Sequence, residues 1–394
     1  MNSKEIIELT QKFIMNTYNR LPLSLVKGKG SYAWDAEGKK YLDFFSGLAV
    51  NNLGHSHPRV LAALSKQAKK LIHVSNLFYT EPQAKLAELL VRHSFGDKVF
   101  FCNSGAEANE AAVKLARKYA KKKFGTSRFE VITMTGSFHG RTLAMITATG
   151  QQKYQKGFEP LMPGFRYAEY GDIDSLERTI SEATCAVMIE PIQGEGGVRI
   201  PPAGYLKAVR ELCDRKGLLL ILDEVQVGMG RTGKLFAHQH EGIEPDMMTL
   251  AKALASGLPI GALVAKGSVA EAFEPGDHAA TFGGNPLVTA VGVATIETLL
   301  KDKLVKQAQL LGKYFLNRLE KMKKKCPSIQ TVRGRGFIIA VDLDQPARPV
   351  VLKCLEKGLL INAVQEQTLR ILPPLTVKKN EIDEGLQVLE KTLF

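Results

Sequence analysis

Leu218-Leu219-Leu220-Ile221-Leu222 is an unbroken aliphatic run that follows Gly217 and ends at Asp223. A run this short and wholly apolar fits a strand buried on both faces, as in the interior of a parallel sheet. A second strand-like run, Asp246-Met247-Met248-Thr249-Leu250-Ala251, delivers Lys252 just before a Gly257-Leu258-Pro259 breaker, 29 residues after Asp223. From about 99 to 265 strand and helix patterns alternate: Val99-Phe100-Phe101, a helix to about Lys123, Glu130 to Met134, and Cys185 to Ile189. That alternation predicts an α/β fold with a mostly parallel sheet and covering helices.

The flanks read differently. Residues 1–50 predict an amino-terminal arm: an amphipathic helix carrying Lys4, Glu5 and Glu8 among Ile6, Leu9 and Phe13, then a hairpin through Tyr32-Ala33-Trp34-Asp35, Glu37-Gly38 and Tyr41-Leu42-Asp43-Phe44. This arm is assigned to the smaller domain. Residues 51–285 form the large domain, and 286–394 a smaller α+β domain. The last begins with a long helical pattern through Leu299, Leu304, Leu311 and Leu319 and includes a strand at Phe337 to Val341.

Open α/β sheets build their sites at the carboxyl ends of parallel strands, so Asp223 and Lys252 can converge on one ligand. Pyridoxal 5'-phosphate uses both groups: a lysine amine holds its aldehyde, and a carboxylate keeps its ring nitrogen protonated. A solvated lysine and an ordinary strand-end aspartate are the bland alternative, so further pieces must decide. Asn103-Ser104-Gly105-Ala106 joins a strand to a helix and suits a phosphate, although it also reads as a turn and helix cap. Phe138 and Arg141 offer a flat ring and a carboxylate grip at one sheet edge, or else a core phenylalanine and a surface arginine. Arg370 is a charge among apolar neighbours; such a residue is normally paired or functional, and an alternating edge strand with one face in water would also explain it.

Taken together, Ser104-Gly105-Ala106-Glu107-Ala108-Asn109, Phe138-His139-Gly140-Arg141, Glu190-Pro191-Ile192-Gln193-Gly194-Glu195-Gly196, Leu222-Asp223-Glu224-Val225-Gln226, Leu250-Ala251-Lys252 and Thr281-Phe282-Gly283-Gly284-Asn285-Pro286 resemble the class III (ω) aminotransferases across nearly the whole chain. Within that class, Ala49 to His55, Asn76 to Pro82 and Gly228 to Phe236 look most like the acetylornithine aminotransferases. The resemblance implies the fold type I of pyridoxal-phosphate-dependent transferases. It implies Lys252 as Schiff-base lysine and proton carrier, Asp223 at the ring nitrogen, Gln226 near the ring hydroxyl, Phe138 stacked on the ring, and Ser104, Gly105 and Ala106 at the phosphate. Thr281 would reach the phosphate of a neighbouring subunit's cofactor, which implies a homodimer with shared sites.

The resemblance also implies substrate roles. Arg141 would grip the far carboxylate of either substrate and Arg370 the α-carboxylate of glutamate or 2-oxoglutarate. Glu195 would neutralise Arg370 when N2-acetylornithine is bound, and Tyr18 would lie near the substrate's amine or acyl end. Val227, Ser256 and Ala280 depart modestly from the pattern without removing a catalytic group. Leu48 stands where ornithine aminotransferases resemble one another in having tyrosine, which favours an acylated donor. The expected reaction moves the terminal amine of N2-acetylornithine to 2-oxoglutarate, as in arginine biosynthesis. Alternatives are other ω-amines (succinylornithine, succinyl-diaminopimelate, acetyl-lysine, ornithine, 4-aminobutyrate), or a mutase or decarboxylase on the same fold.

Bulk properties narrow the remaining classes. The formal charge of +13 raises a basic nucleic-acid-binding reading, but its densest runs, Lys121 to Lys123 and Lys323 to Lys325, end helical segments, where cations complement the helix dipole. No nucleic-acid partner is expected. No apolar run approaches the roughly 18 residues of a membrane span, and no secretory signal precedes the first helix, so a cytoplasmic protein is expected. Five scattered cysteines without a CxxC pair argue for reduced thiols and no metal site.

Overall fold

The computed structural model describes residues 1–125 and 127–394. The amino-terminal arm holds β1 (Leu25–Lys29), β2 (Tyr32–Asp35) and β3 (Lys40–Asp43). The large central sheet is built from β4 (Lys98–Cys102), β5 (Glu130–Met134), β6 (Phe165–Ala168), β7 (Thr184–Ile189), β8 (Leu219–Asp223), β9 (Met247–Leu250) and β10 (Gly261–Ala265). The carboxyl-terminal part adds β11 (Ile329–Arg335), β12 (Ile338–Leu343), β13 (Leu359–Leu360), β14 (Asn362–Val364) and β15 (Thr368–Ile371).

The central sheet runs in the order β4-β10-β9-β8-β7-β5-β6. Strands β9, β8, β7, β5 and β6 pair in parallel, while β10 runs antiparallel to both β9 and β4. Reversing one strand restores the direction of β4, so β4 ends on the same sheet edge as the parallel five. Strands β7, β8, β9 and β10 are buried at every residue, as uninterrupted aliphatic runs require when both faces are covered. Gly105–Phe124 packs on one face, where Ala111, Ala112, Leu115 and Ala116 join a core with Val131, Met188 and Ile221. Tyr205–Lys216 covers the other, where Val209 and Leu212 meet Val187 and Leu220.

The arm and the carboxyl-terminal part share a sheet, because β13 pairs in parallel with β3 in the order β1-β2-β3-β13. The remaining strands form a sheet ordered β11-β12-β15-β14. This order corrects one of the readings of Arg370: β15 lies between β12 and β14 rather than at an edge. The long helical pattern after residue 286 is also two helices, Pro286–Lys301 and Leu304–Lys323, divided at Lys303 with φ of 55°. Leucine spacing carries across that break, so periodicity alone does not reveal it.

The first helix, Ser3–Phe13, buries none of its residues against this chain, and its Ser3 is tied to Glu37. All five cysteines are buried and free. The lysines at the end of Gly105–Phe124 are partly paired, since Lys122 meets Glu274 at 2.5 Å and Lys118 meets Asp277 at 2.6 Å. Among the described residues, no helix is long and apolar enough to cross a membrane.

Candidate active site

Carboxyl ends of β4, β5, β7, β8 and β9 open onto one cavity of about 1070 Å3, measured out to its mouth. Ser104, Gly105, Ala106, Phe138, Arg141, Asp223, Gln226 and Lys252 line it, together with Asn109, His139 and Glu190. Glu195 and Arg370 stand beside Gln226 through hydrogen bonds. Tyr18 and Thr281 are exposed and do not line this cavity within the single chain.

Asp223 ends β8, and its neighbours fix the carboxylate from both sides. Oδ2 accepts from Asn109 Nδ2 and pairs with His139 Nδ1, each at 2.8 Å, while Oδ1 accepts the Val225 N–H at 3.0 Å. Asn109 is itself oriented, donating to the His139 carbonyl and accepting from Thr249 Oγ1 at 2.7 Å. Burial pushes the His139 imidazole down, but its bond to Asp223 and the charges of Asp223 and Glu190 outweigh burial and raise its pKa. A proton is thereby retained next to the carboxylate, and Asp223 is held in one orientation toward the cavity.

Lys252 follows β9 at the first position of a tight turn, Lys252–Ala255, with φ of 40°. A left-handed backbone costs a non-glycine residue roughly 1–2 kcal/mol, and such strain gathers at functional sites. Desolvation lowers the pKa of the amine; Glu195 pulls it back up, and Arg370 pushes it further down. A lowered pKa of this kind leaves more of the amine free to act as a nucleophile and base.

At the β4 end, Ser104 caps Gly105–Phe124 by accepting the Glu107 N–H at 3.2 Å, and Glu107 accepts the Asn103 N–H at 2.7 Å. The next N–H groups, of Gly105 and Ala106, sit in the unpaired first turn of the helix and face an anion-attracting dipole end. A Cβ on Gly105 would lie 2.8 Å from Val225 Cγ1, so glycine is needed for this approach. Glu190 braces the opposite wall: its carboxylate accepts the Phe138 N–H at 2.9 Å and the Gly194 N–H at 3.2 Å. Burial holds Glu190 well above the usual carboxylate range; His139 opposes that shift and Asp223 adds to it.

Arg370 is fully buried. Its Nη1 donates to Glu195 Oε1 at 2.5 Å and to Gln226 Oε1 at 3.1 Å, its Nε donates to Asn362, and its Nη2 has no partner. Burial raises the Glu195 pKa, but Arg370 and Lys252 together outweigh it and hold the carboxyl below its usual range. Gln365, from the loop between β14 and β15, donates to the Glu195 carbonyl at 2.7 Å. Arg141 is exposed, with its guanidinium 4.2 Å from the Tyr154 ring centroid and 5.5 Å from that of Phe138.

Sequence reading omitted roles for His139, Asn109, Tyr154 and Gln365. Asn109 carries a local signal, because it lies one helical turn after Gly105 and so shares its face. His139 is flanked by two quoted site residues, but its partner stands 84 positions away.

These features fit pyridoxal phosphate. The helix start at Gly105 would suit the phosphate, the buried and oriented Asp223 carboxylate would suit the ring nitrogen, and the desolvated Lys252 lines the same cavity. Among the described residues, no cluster of three or more metal-ligating side chains occurs.

Comparison with known proteins agrees. The family described as class-III aminotransferase matches residues 13–393. The chain is 53% identical over 389 residues to the acetylornithine aminotransferase of Caldanaerobacter subterraneus subsp. tengcongensis, covering 98% of this chain and 99% of that one. It is 50% identical over 393 residues to that of Methanocaldococcus jannaschii, covering 99% and 98%. Among solved structures it is similar to ornithine aminotransferase from Toxoplasma gondii (TM-score 0.96, 35% identity, 100% and 95% covered). The acetylornithine aminotransferase from Elizabethkingia anophelis is also similar (TM-score 0.91, 36% identity, 100% and 99% covered).

Proposed function

Since this chain belongs to the class-III aminotransferases, enzymes that use pyridoxal phosphate, we propose that it moves the terminal amine of N2-acetylornithine to 2-oxoglutarate. The products are N-acetylglutamate 5-semialdehyde and glutamate. The observation that carries this reading is Arg370, a buried guanidinium with one Nη on Glu195 and the other unpartnered. Glutamate brings two carboxylates to the cavity, whereas N2-acetylornithine, reacting at its far amine, brings one. A site serving both needs one permanent carboxylate grip and one that can be neutralised.

When bound, pyridoxal phosphate supplies an electrophilic carbon for the substrate amine and an electron-withdrawing ring that acidifies the adjacent C–H bond. In this reading Ser104, Gly105 and Ala106 hold the phosphate, Phe138 covers one ring face, and Gln226 lies at the ring hydroxyl. Asp223, fixed by His139 and Asn109, keeps a proton on the ring nitrogen. Lys252 Nζ would be the group that carries the proton from the substrate carbon, and the desolvation that lowers its pKa would help it act as a base. Arg141 holds the far carboxylate of either substrate. Arg370 holds the α-carboxylate of glutamate and turns to Glu195 when no such group is present.

The enzyme acts as a homodimer in the cytoplasm in this reading, with residues 51–285 as the cofactor-binding domain and residues 1–50 and 286–394 as the smaller one. Leu77, Phe78, Tyr79 and Phe282 form an exposed apolar surface around the Thr281 loop, which Asn76 holds by hydrogen bonds to Ala280 and Gly283. A face of this kind supports docking of a second copy, with Thr281 serving its cofactor and Tyr18 reaching the substrate. The similarity to ornithine aminotransferases favours free ornithine as the second reading, against which Leu48 stands.

The test is to add N2-acetylornithine, ornithine and 4-aminobutyrate separately to the holoenzyme without keto acid and follow the visible absorbance of the cofactor. Fastest conversion by N2-acetylornithine, reversed by 2-oxoglutarate, is expected. Faster conversion by another amine overturns the donor assignment.

A further inference from the structure

The two substrate arginines are held by opposite means. Arg370 is buried and rests on a carboxylate, so its charge is compensated while the site is empty. Arg141 is exposed and has no carboxylate or hydrogen-bond acceptor among the described residues. Instead its guanidinium lies over Tyr154, whose ring centroid is 4.2 Å away, with Phe138 at 5.5 Å.

We infer that Tyr154 is a specificity-determining positioning residue: its ring aims Arg141 at the incoming carboxylate while leaving every N–H of the guanidinium free. A carboxylate anchor would compete with the substrate for the same donors. An aromatic face attracts the cation through its quadrupole and occupies none of them. This inference rests on the proposed role of Arg141.

The ring is well placed for the task. Tyr154 meets Phe138 edge-on at 5.5 Å and 77°, so one side chain supports both the substrate arginine and the residue proposed to cover the cofactor. Its helix, Gln152–Gln155, is pinned by Gln155 Nε2, which donates to the Thr149 carbonyl at 2.9 Å and the Tyr167 hydroxyl at 3.0 Å. Lys153 Nζ lies 5.0 Å from the same centroid, a second cation drawn to the ring. The Tyr154 hydroxyl has no hydrogen-bond partner among the described residues, so the ring, not the oxygen, carries the effect. Arg141 and Arg370 both pull the phenol's pKa down and Glu195 pushes it up, with burial the largest influence and the net shift upward, which places Tyr154 within electrostatic reach of both arginines.

The experiment compares N2-acetylornithine with N-acetyl-1,4-diaminobutane, the same molecule without its carboxylate, in holoenzyme carrying Tyr154, Tyr154→Leu or Tyr154→Phe. Wild type prefers the carboxylate-bearing amine. Tyr154→Leu lowers that preference roughly three- to thirtyfold, chiefly through KM, as loss of one cation–π contact implies. Tyr154→Phe restores it. A Leu variant that keeps the wild-type preference, or a Phe variant that loses as much as Leu, overturns the role of Tyr154. A wild-type enzyme without preference instead overturns the carboxylate grip of Arg141 itself. Because each preference is a ratio within one protein, partial misfolding of a variant cancels.

Discussion

Glu195 and Arg370 stand 175 residues apart in the chain and meet at 2.5 Å, one on the loop after β7 and the other inside the β12-β15-β14 sheet. Removing a substrate carboxylate from a buried arginine would leave an uncompensated charge costing several kcal/mol, and a carboxylate already in contact removes that cost. The pair is ready-made for a site that alternates between two donors. Gln365 and Gln226 hold the two oxygens of Glu195 that matter here, the carbonyl and Oε1, so the acid is held both from the β14–β15 loop and from the loop after β8.

Asp223→Asn removes the charge while keeping the shape. The Asn109 contact and the His139 partner remain in reach, so the fold should hold, and the loss should fall on chemistry. We expect kcat to drop by about two to three orders of magnitude, as for loss of one preorganised electrostatic group, with a smaller change in KM. Steady-state kinetics beside an unchanged far-UV circular dichroism spectrum check this.

Leu48 lies in a turn in which Ser46, Gly47, Leu48 and Ala49 all have positive φ, two residues before the cavity-lining Val50. Leu48→Tyr puts a hydroxyl at this rim. Efficiency on ornithine should rise relative to N2-acetylornithine by roughly tenfold, the worth of one hydrogen bond to a charged amine. Competition between the two amines in one reaction measures the ratio.

Lys252 gives a prediction in pH. Its pKa in the folded chain lies below the ordinary 10.5, so the unfolded chain binds this proton more tightly and protonation opposes folding. In cofactor-free enzyme Lys252→Met should therefore be more stable than wild type at neutral pH, because methionine brings no ammonium that folding must desolvate. The gain should shrink as pH climbs from the depressed folded-state pKa toward 10.5, where the lysine is neutral in both states. Thermal unfolding of both proteins across that range tests the sign.

Much of this site was readable from sequence because its chemistry sits at the ends of uninterrupted apolar runs. Leu219 to Leu222 and Met247 to Leu250 became strands, and Asp223 and Lys252 came out on the same edge because adjacent parallel strands end together. What was unreadable depends on register and strand order. Nothing local distinguishes an interior β15 from an edge strand, so the burial of Arg370 emerged only with the sheet. The His139 contact to Asp223 and the seat of Arg141 on Tyr154 likewise join separate loops. Thr281 and Tyr18 remain outside the cavity of the single chain, where a role for them requires a second copy.

Glu195→Ala, assayed with N2-acetylornithine and with glutamate as donors, tests the dual-substrate account most directly. The account predicts that efficiency on N2-acetylornithine falls while that on glutamate holds or rises, shifting their ratio at least tenfold, about 1.4 kcal/mol. An unchanged ratio would contradict the neutralisation of Arg370 by Glu195.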